Sequence, residues 1–350
     1  MKFVFMLKFK SFCVFLVLLF VFLLVPSCSD NGAARYISEK DTMYSADIRS
    51  VSEKINKSPN NAELYYKRAN TFYFESNIKQ AILDIDFAIS IDSINPLYEF
   101  KRAEFLISGD TANSKEAIKS FKKSLRLKPN YVEAMLAYGK LLIARQSYEE
   151  AEKIYFNCNK IDPSNPATYF YLGLMAKEMK DTTKALALFE KTLVYDGNYY
   201  DAIMQLGDYY AFKNDAKALV FYDRAMAINP YSEEPLYAKG LYLQKNNQYK
   251  DAAFIYEQVA KMNPGHILCR YNLAYINAFF KNYKIASDIL DETLELDKTN
   301  ADAYALRGLM KEKLNNHTGA MMDYQNALQL DKNQKAAEEG LKRLKYSISF

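Results

Sequence analysis

The chain has 350 residues, half of them apolar and a quarter charged, which is enough to bury a large core and excludes an intrinsically disordered chain. Its formal charge of +4 falls to +1 when Lys2, Lys8 and Lys10 are set aside with the amino-terminal segment, so there is no basic stripe of the kind a nucleic-acid binder needs. Four cysteines are too few for a disulfide framework, and 29 tyrosines with no tryptophan point to many half-buried positions with a wet edge.

In chain order, the three lysines are followed by an uncharged apolar run from Phe12 to Val25. It is the length of a signal segment and short of the roughly 20 residues that span a bilayer. Val25-Pro26-Ser27-Cys28 comes next and resembles a bacterial lipobox, although Pro26 stands where a small residue is usual; an uncleaved anchor is the alternative reading. The resemblance implies a signal peptide over 1–27 and acylation of Cys28. It also implies an exported, membrane-anchored lipoprotein of a Gram-negative bacterium, with the outer membrane favoured over the inner. Residues 28–43 are polar and aperiodic, which predicts a flexible tether reaching about 20 Å; a segment docked on the repeats is the alternative reading. Ile48, Val51 and Ile55 then recur at helical spacing before Pro59, predicting a leading helix within 44–61.

From there the chain repeats. Asn61-Ala62-Glu63-Leu64-Tyr65-Tyr66-Lys67-Arg68-Ala69 is echoed 34 residues later by Asn95-Pro96-Leu97-Tyr98-Glu99-Phe100-Lys101-Arg102-Ala103. An alanine recurs in eight units: Ala81, Ala117, Ala151, Ala185, Ala218, Ala252, Ala286 and Ala320. About twelve residues before each stands a small residue (Ala69, Ala103, Gly139, Gly173, Gly207, Gly240, Ala274, Gly308). Four after each stands a bulky one (Ile85, Phe121, Tyr155, Phe189, Tyr222, Tyr256, Leu290, Tyr324). Small residues let two antiparallel helices approach closely, and the bulky one fills the space between neighbours. Pro129, Pro163, Pro230 and Pro264 close four units, where a helix interior cannot continue. Two extra residues around Gly109-Asp110-Thr111 and one missing near Asn214 fall in the turn within a unit, where length is least constrained.

The pattern resembles the tetratricopeptide repeat (TPR), with its small residue at position 8, alanine at 20, bulky residue at 24 and proline at 32, over residues 62–334. It implies an all-α, right-handed superhelical solenoid of eight helical hairpins. Residues 335–350 supply a charged capping helix and tail, with Ala336, Ala337, Leu341 and Leu344 on one side.

No catalytic constellation stands out. His266 and His317 fall at turns in separate units and read as solvated, and adjacent acids such as Glu149-Glu150 point different ways. No zinc spacing, phosphate loop or nucleophile elbow occurs, so neither enzyme activity, a metal nor a cofactor is expected. Cys158 reads as a small core residue; Cys269 has no evident role. In the family, the first helix of each unit lines a concave groove through positions 2, 5, 9 and 12. Position 5 holds Tyr66, Phe100, Leu136, Phe170, Met204, Tyr237, Tyr271 and Ala305, and the first seven are the candidate partner-binding residues; the alternative reading is that position 5 packs partly against adjacent helices and leaves a shallower surface. Position 9 becomes apolar late in the chain, at Leu241, Tyr275 and Leu309. The lysine of a carboxylate clamp is replaced by Tyr66 and Phe100.

The resemblance thus implies a membrane-anchored protein–protein interaction scaffold of the cell envelope, holding a protein or peptide segment in a tyrosine-lined groove. A binding protein for a small or glycan ligand is the alternative. Asp41-Thr42-Met43, Asp92-Ser93-Ile94, Asp110-Thr111-Ala112 and Asp181-Thr182-Thr183 resemble acceptor triplets for O-glycosylation in the Bacteroidota.

Overall fold

The computed structural model of the protein describes residue 37 and residues 42–109 and 114–348. The signal segment, Cys28 and most of the tether lie outside the described residues, as does the expansion at 110–113. The described residues form eighteen α-helices and no strand, in two compact units that meet in sequence at Pro163 and Ser164.

The first unit opens with α1 (Ala46–Lys57) and continues as three hairpins: α2 (Ala62–Phe74) with α3 (Ile78–Ile91), α4 (Pro96–Gly109) with α5 (Ser114–Leu127), and α6 (Val132–Ala144) with α7 (Tyr148–Ile161). The second unit holds five more: α8 (Pro166–Glu178) with α9 (Thr182–Tyr195), α10 (Tyr200–Phe212) with α11 (Lys217–Ile228), α12 (Glu234–Lys245) with α13 (Tyr249–Met262), α14 (Ile267–Phe279) with α15 (Tyr283–Leu296), and α16 (Ala301–Lys313) with α17 (His317–Leu330). It closes with α18 (Lys335–Ile348). Within each unit every helix packs on the next along the chain.

The first helix of a hairpin ends in one repeated device. Ser76, Gln146, Lys180, Asn214, Asn247, Lys281 and Asn315 stand at φ between 59° and 64°, in the left-handed region. The next N–H reaches back five residues, as from Asn77 to the Phe72 carbonyl at 2.8 Å and from Asp181 to Ala176 at 2.9 Å. This is a Schellman turn made without glycine, at about 1 kcal/mol of backbone strain apiece.

What sets the spacing inside a hairpin is the contact between positions 8 and 24. A Cβ added to Gly139, Gly173, Gly207, Gly240 or Gly308 would lie 2.4, 2.6, 2.8, 2.5 or 2.8 Å from the ring of Tyr155, Phe189, Tyr222, Tyr256 or Tyr324 respectively. Where alanine holds position 8, Ile85 and Leu290 replace the ring in two of three hairpins. All eight position-20 alanines and all eight position-24 side chains are buried.

A polar clasp, unforeseen in the sequence, joins successive hairpins. Arg68 donates two bonds to Asp84, at 2.6 and 2.8 Å, and one to Ser52 on α1 at 3.0 Å. Arg307 likewise grips Asp323 on its own hairpin and Asp291 on the preceding one. Lys239 reaches back to Asp223, and Arg102 to Asp86 and forward to Ser120. The cation always precedes the small residue, and its partners lie 16 residues away on either side. The one exception is Ser120, displaced to 18 by the two extra residues of its hairpin. That spacing is the sequence signal that could have revealed the clasp.

Both ends are covered. Ile37 is buried in the first core and Tyr44 sets its ring edge-on to Phe72 at 5.9 Å, so the segment expected to be a free tether to residue 43 is already docked at 37. At the other end Ala337, Gly340 and Leu344 face the core while Ala336, expected on that face, is exposed. Gly340 admits the Tyr324 ring, and Arg343 donates to Glu312 at 3.0 and 3.1 Å.

Gly240→Ala is expected to cost about 1–3 kcal/mol by overpacking against Tyr256. Tyr256→Leu, the solution that Ala274 and Leu290 use, should recover part of that loss. Chemical denaturation of the two single variants and the double gives the coupling; strictly additive losses would mean that the ring does not occupy the gap.

Candidate interaction surface

The first helices of the hairpins carry the candidate groove, and the structure sorts the seven expected residues into two classes. Phe100, Phe170 and Met204 are buried, whereas Tyr66, Leu136, Tyr237 and Tyr271 are half-buried. The burial has a repeated cause: a position-5 ring is sandwiched between position 24 of its own hairpin and the residue that starts the next. Phe100 lies 6.3 Å from Phe121 and 5.2 Å from Tyr131; Phe170 lies 5.8 Å from Phe189 and 5.0 Å from Tyr199. Tyr237 sits 6.0 Å from Tyr256 and 4.6 Å from His266. Position 5 in these hairpins is therefore mostly core, and it supports a surface more than it forms one.

What remains open is the row beside it, in the second unit. Leu241 on α12 and Leu268 and Tyr275 on α14 are 42%, 59% and 44% exposed. Leu268, Tyr271 and Tyr275 are three and four residues apart and so share one face of α14. Asn272 donates to the Tyr237 hydroxyl at 3.3 Å and ties α14 to α12 beneath that face. Position 9 had already turned apolar in the sequence here; Leu268, at position 2, had not been singled out, and only its exposure marks it.

Tyrosine hydroxyls supply the polar element. From the second layer, Tyr222 donates to Asp208 at 3.0 Å, Tyr256 to Gln244 at 2.8 Å and Tyr324 to Glu312 at 2.7 Å. Burial pushes the phenols of Tyr222, Tyr256 and Tyr324 well above their ordinary value. The same cause raises Tyr237, against the Asn272 hydrogen bond, and Tyr271, with help from the Asp302 charge. All of these hydroxyls stay protonated at neutral pH. The face thus sets the exposed Leu241, Leu268 and Tyr275 beside the half-buried, neutral phenols of Tyr237 and Tyr271.

His266 differs from its expected solvated role: its Nδ1 accepts from the Cys269 N–H at 3.1 Å, capping α14, and its ring packs on Tyr237. His317 is exposed at the start of α17. Cys158 and Cys269 are both buried. Cys269 donates to the Tyr256 carbonyl at 3.0 Å, and burial raises its thiol to about 12, which makes it an inert core residue. Among the described residues no group of three or more His, Cys, Asp or Glu could hold a metal ion. In two of the four triplets the acid serves the backbone: Asp92 accepts from Ile94, and Asp181 caps α9 through Lys184.

Residues 48–310 match the family model for the second ARM domain of tetratricopeptide repeat protein 21, and residues 301–334 match that of the tetratricopeptide repeat. The chain is 24% identical over 328 residues to DnaJ homolog subfamily C member 7 of Mus musculus, covering 87% of this chain and 60% of that protein. It is 22% identical over 198 residues to the mitochondrial import receptor subunit TOM70 of Homo sapiens, covering 55% and 32%. The chain therefore spans less than two thirds of the length of these curated relatives. Among solved structures, yeast Tom70 aligns at a TM-score of 0.56 and 20% identity over 84% of this chain and 61% of that one. The C-terminal part of a TPR repeat-containing protein from Cytophaga hutchinsonii aligns at 0.56 and 20% over 69% and 99%. At such identities the likeness is one of fold.

The sorting of positions is directly testable. Phe170→Glu and Met204→Glu should each cost more than about 3 kcal/mol, because a carboxylate is forced into a packed core, whereas Tyr275→Glu should stay within about 0.5 kcal/mol. Thermal melts of the three variants check this; equal losses would contradict it.

Proposed function

This chain belongs to the tetratricopeptide-repeat family, and on that premise we propose that it is a membrane-anchored protein–protein interaction scaffold of the cell envelope. Repeats of this family mediate protein–protein interaction. The observation that carries the reading is the open apolar face of α12 and α14, where Leu241, Leu268 and Tyr275 stand exposed above a hydrogen-bonded tyrosine layer. Isolated exposed leucines are ordinary, but exposed apolar side chains on two successive first helices joined through Asn272 and Tyr237 make a pre-organised anchor site. It would take an amphipathic helix or extended segment of a partner. An import receptor subunit among the relatives accords with binding of this kind.

Anchoring is proposed through acylated Cys28, following the lipobox-like Val25-Pro26-Ser27-Cys28. No described helix is long and apolar enough to cross a membrane. With the anchor in place, the partner is a component of an envelope complex that the chain helps to assemble, at the outer membrane.

Two measurements test the two halves. Leu241→Glu combined with Tyr275→Glu should abolish crosslinked capture of the partner from membranes while the melting curve is retained; undiminished capture would remove this face from consideration. Cys28→Ser should release the chain from the membrane fraction and remove the acyl mass from the intact protein; a variant that stays bound at unchanged mass would sink the lipoprotein assignment.

A further inference from the structure

We propose that the hairpin-turn edge of the second unit rests on an anionic bilayer surface, with lysines taking the headgroups and phenylalanines entering the interface. The turns within successive hairpins lie side by side. Lys245 donates to the carbonyls of Ala211 and Phe212, at 3.2 and 3.4 Å, and the Tyr249 ring lies 4.4 Å from Phe279. The five turn segments, 177–184, 211–217, 244–251, 278–285 and 312–319, hold ten lysines and five carboxylates. The segments between hairpins, 194–201, 228–234, 262–268, 296–302 and 330–335, hold three lysines and seven carboxylates. One edge of this unit is therefore basic and the other acidic.

Helix dipoles explain only half of that separation. Lysines at the ends of α12 and α16 stand where a helix C-terminus favours them. Lys217, Lys250 and Lys284 stand in the first turns of α11, α13 and α15, where the positive end of the dipole disfavours a cation. No acid offsets them in the first turns of α11 and α15, and Asp215 is engaged in capping the Lys217 N–H. Within the fold Lys284 pairs with Asp288 at 2.6 Å and Lys217 lies 5.2 Å from the Tyr210 ring, while Lys250 is exposed; the dipole of their own helices accounts for none of the three.

Exposed apolar side chains stand at both edges, Val194 and Tyr231 among those on the acidic one, but at the basic edge Met179, Phe212 and Phe280 are each followed by a lysine. Phe212 is 77% exposed, Phe279 56% and Met179 55%. Tyr249, Lys250, Phe279 and Phe280 wall a shallow hollow of about 540 Å³. An acidic protein would answer the lysines and an apolar one the rings; a bilayer interface answers both, because rings enter the acyl boundary while basic side chains meet the headgroups. This edge is separate from the α12–α14 face, which leaves that face free for a partner.

The absence of tryptophan makes the test clean. Phe279→Trp and, at the opposite edge, Tyr231→Trp are made separately in the full chain. Each is reconstituted in phosphatidylcholine vesicles with and without phosphatidylglycerol, part of the lipid being brominated. The residue-279 reporter should be blue-shifted and quenched in the anionic vesicles, and much less so in neutral vesicles or at high salt. The residue-231 reporter should stay unquenched. Adding Lys217→Glu, Lys250→Glu and Lys284→Glu should abolish the quenching while a cooperative melting curve is retained. Equal quenching at both positions, equal quenching in both lipids, or quenching that survives the charge reversal overturns the proposal. No quenching anywhere also overturns it and assigns the edge to an acidic protein.

Discussion

The structure depends on how closely two antiparallel helices can approach at one point in each hairpin. A missing Cβ at Gly139, Gly173, Gly207, Gly240 and Gly308 leaves room for an aromatic ring from the second helix, and that ring fills the space down to van der Waals contact. Packing at crystal-like density allows no slack there, so the residue types at positions 8 and 24 cannot vary independently. Where alanine occupies position 8, Ile85 or Leu290 takes the place of the ring; Phe121 is the aromatic exception, facing Ala103. The closing helix α18 uses the same device, Gly340 receiving the far side of Tyr324.

That contact has consequences for the surface. A large ring at position 24 reaches through the hairpin, and position 5 packs against it from the other side. When the next hairpin begins with Tyr131 or Tyr199, the position-5 ring is covered twice and becomes core, whereas Tyr237, covered by His266, stays half-buried. The hydroxyls of Tyr222, Tyr256 and Tyr324 emerge far enough to bond polar residues on the first helices. The exposed apolar side chains therefore stand beside that row, at Leu241, Leu268 and Tyr275.

The edges follow a different logic. Helix ends are stabilised by acids at their starts and cations at their finishes, and both units follow this rule in part. Lysines at the starts of α11, α13 and α15, beside exposed phenylalanines, run against it. Non-glycine residues at left-handed backbone positions, Lys180 and Lys281 among them, add strain in the same turns.

Taken alone, the amino-acid sequence determined the helical class, the eight-unit frame, the place of every small and bulky core residue, and the turns that tolerate length change. Those are steric demands within one hairpin, and a 34-residue period displays them eight times over. The tertiary structure decided what lies between hairpins: that Phe100, Phe170 and Met204 are core, that His266 caps a helix, that Ile37 is docked, and that Arg68 and Arg307 each clasp two helices at once. Such contacts depend on which side chain the neighbouring hairpin presents, and a repeat pattern read one unit at a time does not contain that information.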